Sequence, residues 1–364
     1  SRSAAASIPI ASCGRVEASQ VRQIHVSSLT SSRRIRVADD KGYFPVLVRA
    51  ADNALMAVFR DGAAHMGAGG YLVASRSTDL GLTWTEPVVV VNMREYDDRN
   101  PAVGVARNGV ITVAFHANGS YGPSGEYIKD RRTPRSLHTG IVQSADNGRT
   151  WGDPMLWTDA TPWDGMSPYG RMLTLADGTM VMSIYNGGSY LLRSRDNGQT
   201  WGGLTLTGTD TNESSYCVLP TGEWLCAGRK QREFEDQRIL VRRSSDGGMT
   251  WSEPTPFGVN KTLPADLLAL SNGSVLIVYG YRTPPFGVRA RMSHDNGRTW
   301  SETELVVHGS ALSADCGYPS ALVADGYVII VFYDAGRTTH DAPDGTGAFC
   351  ELVRIAESEL ISVF

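Results

Sequence analysis

The 364-residue chain is short of charge: Asp, Glu, Lys and Arg make up 20% of it, and the formal net charge is −4. Nucleic-acid binding needs clustered Lys and Arg, and no basic stripe is present, so that class of partner is excluded. No apolar run approaches the roughly 18–20 residues that cross a bilayer as a helix, so no membrane span is expected. Cysteine is scarce and odd in number, at Cys13, Cys217, Cys226, Cys316 and Cys350. None stands in CxxC or Cys/His spacing, so neither a metal nor a cofactor is expected. Cys217 and Cys226 are spaced to face each other across a hairpin; a disulfide and two buried free thiols remain equal readings. Four sequons, at Asn118, Asn212, Asn260 and Asn272, would permit glycosylation in a eukaryotic secreted protein.

Against these shortages stand 39 Gly, 14 Tyr and 8 Trp. Few charges with many Gly and aromatic residues suit an all-β fold rich in tight turns. The turns are visible as a repeat. Ser77-Thr-Asp79-Leu-Gly81-Leu-Thr83-Trp84 reads S-x-D-x-G-x-T-W, and the same pattern returns at 144–151, 194–201, 244–251 and 293–300. Its aspartates are Asp79, Asp146, Asp196, Asp246 and Asp295, spaced 67, 50, 50 and 49 residues apart. The Asp carboxylate can accept nearby backbone N–H groups, Gly supplies a positive φ, and Trp pins the hairpin. The motif is therefore read as scaffold, not chemistry.

About fifty residues hold four short strands and their turns, which is one propeller blade. Five boxes mark five blades. After Trp300 one further set follows, at Ser320–Val323, Val328–Tyr333 and Phe349–Ile355, without a box. An early strand near Ile35–Ala38 would complete it and close the ring, which removes exposed sheet edges. The expectation is an all-β, six-bladed propeller over residues 35–364, preceded by a leader or strap over 1–34.

Serial Asp boxes on such a ring resemble the sialidase (neuraminidase) superfamily over about residues 40–340. That resemblance implies an exo-acting, retaining glycoside hydrolase that is secreted or periplasmic, acts on a glycan and is a monomer. Sialidases depart from the two-carboxylate scheme of most glycosidases, using a Tyr nucleophile with a Glu partner, an Asp acid/base and three arginines on the sugar carboxylate. A neutral Tyr avoids repelling an anionic sugar, and guanidinium forks suit a carboxylate. In the segment Asn212-Glu213 to Gly228-Arg229 the resemblance makes Glu213 the base partner and Arg229 a clamp arginine. Arg282 and Arg289 are both candidates for another. Asp315-Cys-Gly317-Tyr318 resembles the family's Gly-Tyr-Ser segment, making Tyr318 the nucleophile.

The first blade departs from the family. Phe44 stands where the first arginine is expected, in Gly42-Tyr43-Phe44-Pro45. The acid/base position falls nearest His65, with Asp61 four residues earlier, and a His is chemically adequate near neutral pH. Tyr96-Asp97-Asp98-Arg99 opens the next blade, so Arg99 is a substitute arginine and Asp97 or Asp98 a substitute acid. Arg171 and Asp266 also precede or open inner strands and are expected at the mouth. His116, His138 and His340 are read as structural. Two other functions compete. One is a polysaccharide lyase working on a uronate through His, Tyr and Arg. The other is a non-catalytic glycan-binding propeller, which the boxes alone fit equally well.

Overall fold

The structure, a computed structural model, describes residues 21–128, 137–157, 161–231, 235–336 and 347–364. His340 and Cys13 lie outside these. The described residues form an all-β, propeller-like ring of antiparallel meanders, with one seven-residue helix, Glu357–Val363, near the end. None of its helices is long and apolar enough to cross a membrane.

The hydrogen-bonded sheets number five rather than the six separate blades expected. Three hold four strands each, beginning with the inner strands Tyr43–Arg49, Thr211–Val218 and Cys316–Ala324. One holds eight. It consists of two four-stranded meanders, with inner strands Asp97–Val105 and Ser167–Thr174, joined by parallel pairing of Ala102 with Gly170 and Val103 with Arg171. The remaining sheet starts at Thr262–Ala269 and gains a fifth strand, Arg22–His25, parallel to Thr303–His308. Arg33–Asp39 pairs antiparallel with Phe349–Ala356, so the first part of the chain completes the last sheet.

Apolar seams run around the whole ring. Val46, Met56 and Val58 pack with Val103, Val113 and Phe115. Ala114 and Ile141 pack with Met180 and Met182. The last meander returns to the first through Ile329, Val331 and Leu352 against Leu47, Leu55 and Phe59. Each fully buried side chain of this size contributes about 1.5–3 kcal/mol, so closure is sustained by every interface.

The box tryptophans belong to these seams. Trp84, Trp151, Trp201, Trp251 and Trp300 each pack between their own meander and the one before it. The seam between the last two meanders has no such Trp. There Val26, Leu29 and Ile24 from the early segment, with Leu360 and Phe364 from the terminal helix, complete the apolar cluster. Cys217, Cys226, Cys316 and Cys350 are free and buried. Cys226 is registered with Tyr216 and Cys217 with Leu225, so the two thiols leave opposite faces of the hairpin and cannot pair.

All six inner strands share one irregularity. Each loses register with its neighbour near its first residues: at Tyr43/Val46, Arg99/Ala102, Tyr169/Leu173, Thr211/Ser214, Thr262/Ala265 and Gly317/Ser320. A bulge bends the strand and re-aims a side chain. At four of the six, a residue turns left-handed: Phe44, Asn100, Gly170 and Tyr318. That conformation is uncommon for non-glycine residues and tends to cluster at functional sites.

Candidate active site

Four of the bulged ends, through Arg99 and Asn100, Ser167, Glu213 and Tyr318, line a cleft of about 1040 Å³ at one mouth of the ring. On its floor, Tyr318 donates its hydroxyl hydrogen to Glu213 Oε1 at 2.6 Å. Arg229 donates to Glu213 Oε2 and, at 3.1 Å, to the Tyr318 oxygen. Tyr185 adds a longer bond to Glu213 at 3.4 Å, and Asn100 in turn donates to the Tyr185 oxygen at 3.2 Å. Tyr318 lies on the bulge of the last inner strand and Glu213 on that of the fourth. Arg229 projects from the strand next to Glu213, so its charge is delivered by cross-strand neighbourhood.

The electrostatics are those of a proton donor and its base. Burial pushes the Tyr318 phenol up to about 12, reinforced by the Glu213 charge and opposed by Arg229 and Arg282. Burial also works to raise Glu213, but Arg229 and the hydrogen bonds outweigh it, and the net direction is down. The resting pair is thus neutral phenol and carboxylate, with Arg229 holding the negative charge in place.

Above the floor, His65 Nδ1 lies 2.8 Å from Asp315 Oδ1, and Asp315 also accepts the Tyr333 hydroxyl. Burial opposes ionisation of Asp315. The His65 and Tyr333 contacts more than compensate and hold it at about 2. The Phe44 ring stands edge-on to both His65 and Tyr318, with centroids 4.8 and 4.9 Å away. The position expected for an arginine is therefore taken by a buried apolar ring packed against the imidazole and the phenol.

The structure separates the remaining candidates. Arg282 lies behind Tyr318, its guanidinium 5.3 Å from the ring centroid, and donates to the Cys316 carbonyl at 3.2 Å. Arg289 does not reach the cleft. It is buried, donating to the carbonyls of His308 and Pro285 at 2.7 and 3.0 Å, with Glu304 at 3.7 Å. Arg171 pairs with Asp266 at 3.2 Å in the central channel below the site. Asp266 also accepts Ser215 at 2.6 Å and the Ala321 N–H at 2.8 Å, so four meanders are bolted together there. This couple is a structural link, not a cleft wall as expected. Asp61 points away, accepting the Gly62 N–H at 2.7 Å and facing Lys41 at 3.4 Å. Asp98 is fully buried and turned from the cleft, accepting the Met93 N–H at 2.6 Å. Burial drives its carboxyl up to about 7, with the Asp97 charge adding to the effect against the Met93 hydrogen bond. Strand alternation explains this: Asp97 and Arg99 share one face and Asp98 takes the other.

Several cleft residues escaped sequence reasoning. Asn100, Ser167 and Tyr185 line it, and Asn100 also donates to Ser167 at 2.8 Å. Asp315 was within a quoted motif, but its partner His65 is 250 positions away, so no local signal marks the pair. His116, read as structural, lines the cleft beside Arg99, its register partner across the hairpin. Burial, then the Arg99 charge, lowers its imidazole to about 4, so it is neutral near pH 7. His138 Nδ1 lies 3.0 Å from Asp164, beside the cleft-lining Leu137 and Gly165. Among the described residues no three His, Cys, Asp or Glu side chains converge as a metal site requires.

Comparison with known proteins agrees with this architecture. The sequence matches the BNR repeat-like domain over residues 90–330. A search of curated proteins returns no match. Among solved structures, a protein of unknown function from Dyadobacter fermentans is similar with a TM-score of 0.72 at 21% identity, over 90% of this chain and 100% of that one. The Hadza microbial sialidase Hz136 is similar with a TM-score of 0.68 at 19% identity, over 90% and 67%. Trypanosoma rangeli sialidase, solved as a covalent intermediate with 2,3-difluorosialic acid, gives 0.67 at 17% identity, over 91% and 59%. These likenesses establish the fold. The chain belongs to the BNR repeat-like family, and its fold is similar to that of the sialidase propellers.

Proposed function

We propose that the protein is a retaining exo-glycoside hydrolase in which Tyr318 is the nucleophile, Glu213 its base and His65 the acid/base. The observation that carries this is the 2.6 Å Tyr318–Glu213 hydrogen bond on the cleft floor, with Arg229 bonded to both. In the first step the Tyr318 oxygen attacks the anomeric carbon while Glu213 takes the phenolic proton. The glycosidic C–O bond breaks, and protonated His65 gives its proton to the leaving oxygen. In the second step His65 takes a proton from water, whose oxygen attacks the anomeric carbon. The bond to Tyr318 breaks and Glu213 returns the proton to the phenolate. Asp315 orients His65 and favours its charged form, and Arg229 steadies the carboxylate. We also read the eight-stranded sheet as two blades fused at their inner strands, making a six-bladed ring.

Incubation with a fluorinated activated glycoside, followed by mass spectrometry of peptides, tests the scheme. A sugar adduct on Tyr318 is the expected result. Turnover of an aryl glycoside by Tyr318→Phe at the wild-type rate would overturn it.

A lyase is the second reading, favoured by one observation. The His65–Asp315 pair stands across the Phe44 ring from Tyr318, as a base and an acid for β-elimination would. An ultraviolet-absorbing unsaturated uronate among the products would decide for elimination. Release of an intact sugar would decide for hydrolysis.

A further inference from the structure

The three arginines around the candidate site are not equivalent. Arg229 is committed to Glu213 and Tyr318. Arg282 lies against the Tyr318 ring and bonds a carbonyl. Arg99 lines the cleft, yet among the described residues its only hydrogen bond is a long one, 3.4 Å from Nε to Asn100 Oδ1. Its terminal nitrogen NH1 is 4.0 Å from Asp97, too far for a hydrogen bond. Asp97 is already occupied, accepting from Arg60, from Tyr121 at 2.6 Å and from the Gly67 N–H at 3.3 Å. One carboxylate therefore serves two guanidinium groups, and the one on the cleft side is the one left over. Such an excess cation in a half-dry wall favours an anionic ligand.

A second observation marks the same place. His116 is the register partner of Arg99 across the hairpin, and its Nε2 is buried without a hydrogen-bond partner among the described residues. A ligand oxygen placed between the two would satisfy both. The described carboxylates on the cleft wall are Glu213 and Glu126. Glu213 is neutralised by Arg229, and Glu126 folds back to its own turn through the Ser124 N–H.

The residues around the nucleophile bear on what kind of anion fits. The Arg99 guanidinium lies 5.5 Å from the centroid of the Phe44 ring, and the Phe44 ring lies 4.9 Å from that of Tyr318. The Phe44 ring thus packs against both the Arg99 guanidinium and the Tyr318 ring, so the cation stands beside the nucleophile's apolar neighbour and not on the nucleophile itself. A sugar with its carboxylate on the anomeric carbon would place that charge beside Tyr318, where Phe44 supplies no cation, Arg229 is already paired with Glu213 and Arg282 bonds a carbonyl. A sugar with its carboxylate on the far side of the ring would place it at Arg99.

We propose that Arg99 and His116 bind the C5 carboxylate of a terminal hexuronic acid, so that the substrate is a hexuronide and not a sialoside. This rests on the hydrolase reading above, but its test is separable. A panel of p-nitrophenyl hexuronides in both anomers, matched hexosides and the N-acetylneuraminide is assayed with wild type, Arg99→Met and His116→Ala. In wild type, kcat/KM for one hexuronide should exceed that of its matched hexoside by at least about a hundredfold, and the sialoside should be poorer still. Arg99→Met should bring the ratio near one, chiefly by raising KM, and His116→Ala should lower it about tenfold. A preferred sialoside or neutral hexoside, or an unchanged ratio in Arg99→Met, would overturn the assignment.

Calorimetry on Tyr318→Phe with free hexuronic acids and the matched hexoses reads the same contact without catalysis. Uronate binding that is lost on adding Arg99→Met supports the proposal even if the hydrolase reading fails. Equal affinity for uronate and hexose counts against it. Unchanged thermal melting of the variants verifies that they fold.

Discussion

At the rim of the ring, Asp79, Asp146, Asp196, Asp246 and Asp295 make one and the same set of contacts. In each box the Thr N–H bonds the Asp at 2.8–2.9 Å, and the Gly N–H bonds the Ser hydroxyl at 2.7–2.9 Å. At the mouth, the bulged ends of the inner strands hold Phe44, Asn100, Gly170, Glu213 and Tyr318, no two alike. Both regions repeat with the blade. In one the side chains repeat with the backbone; in the other only the backbone does. The rim is closed by bonds within eight residues, so every copy needs the same residues. The mouth is closed by bonds between meanders, so each copy is free to bring something different, and the site is the sum.

Substitutions separate the two regions. Tyr318→Phe removes the proposed nucleophile while keeping the ring against Phe44, and kcat should fall by about a thousandfold or more with little change in melting temperature. Glu213→Gln should lower kcat about a hundredfold, as expected for loss of a general base. It should also destabilise the fold by about 3 kcal/mol, because Arg229 is left buried without its counter-charge. A variant that loses activity but not stability would show that Arg229 finds another partner.

Asp315→Asn should shift the basic limb of the pH–rate profile to lower pH, since the carboxylate beside His65 favours the imidazolium that donates the proton. A profile that merely scales down would place His65 outside the proton path. At the rim, Asp196→Ala should cost about 1–2 kcal/mol in urea denaturation and leave kcat/KM unchanged. Loss of activity there would mean that rim and mouth are coupled.

The smallest effect concerns acid. Partial burial works to raise Asp79, but hydrogen bonds from Thr83 and Ser77 hold it at about 2. A carboxyl depressed in the folded state adds stability above its ordinary value and loses it as pH falls through the folded one. Melting temperature should therefore decline between about pH 4 and pH 2, with Asp315 acting in the same direction. A flat profile over that window would show that these bonds persist in the unfolded chain.

The propeller was legible because its signal is local. Five boxes, each complete within eight residues, announced the meanders, and the pairing of Arg33–Asp39 with Phe349–Ala356 followed from the missing strand. The division into sheets was not legible, because two residue pairs, Ala102–Gly170 and Val103–Arg171, suffice to fuse two meanders. For the candidate site, Glu213, Arg229 and Tyr318 were singled out by the short segments that resemble sialidases, and the structure brings the three into contact. Asp98 was misplaced because a strand turns alternate residues to opposite faces and a bulge resets the count. Arg289, Arg171 and Asp266 were misplaced because a buried ion pair and a cleft wall read alike in one dimension.

By itself, then, the sequence determined the ring: turns are made by neighbours, and neighbours are written consecutively. Only the tertiary structure decided the chemistry of the mouth. Phe44 and His65 come from the first meander, Arg99 from the second, Glu213 from the fourth and Tyr318 from the last, and their charges and distances exist only once the ring is closed. The difference lies in what each contact must hold together. A box closes a loop of a few residues at small entropic cost, whereas Tyr318 meets Glu213 across 105 positions and depends on every seam between them.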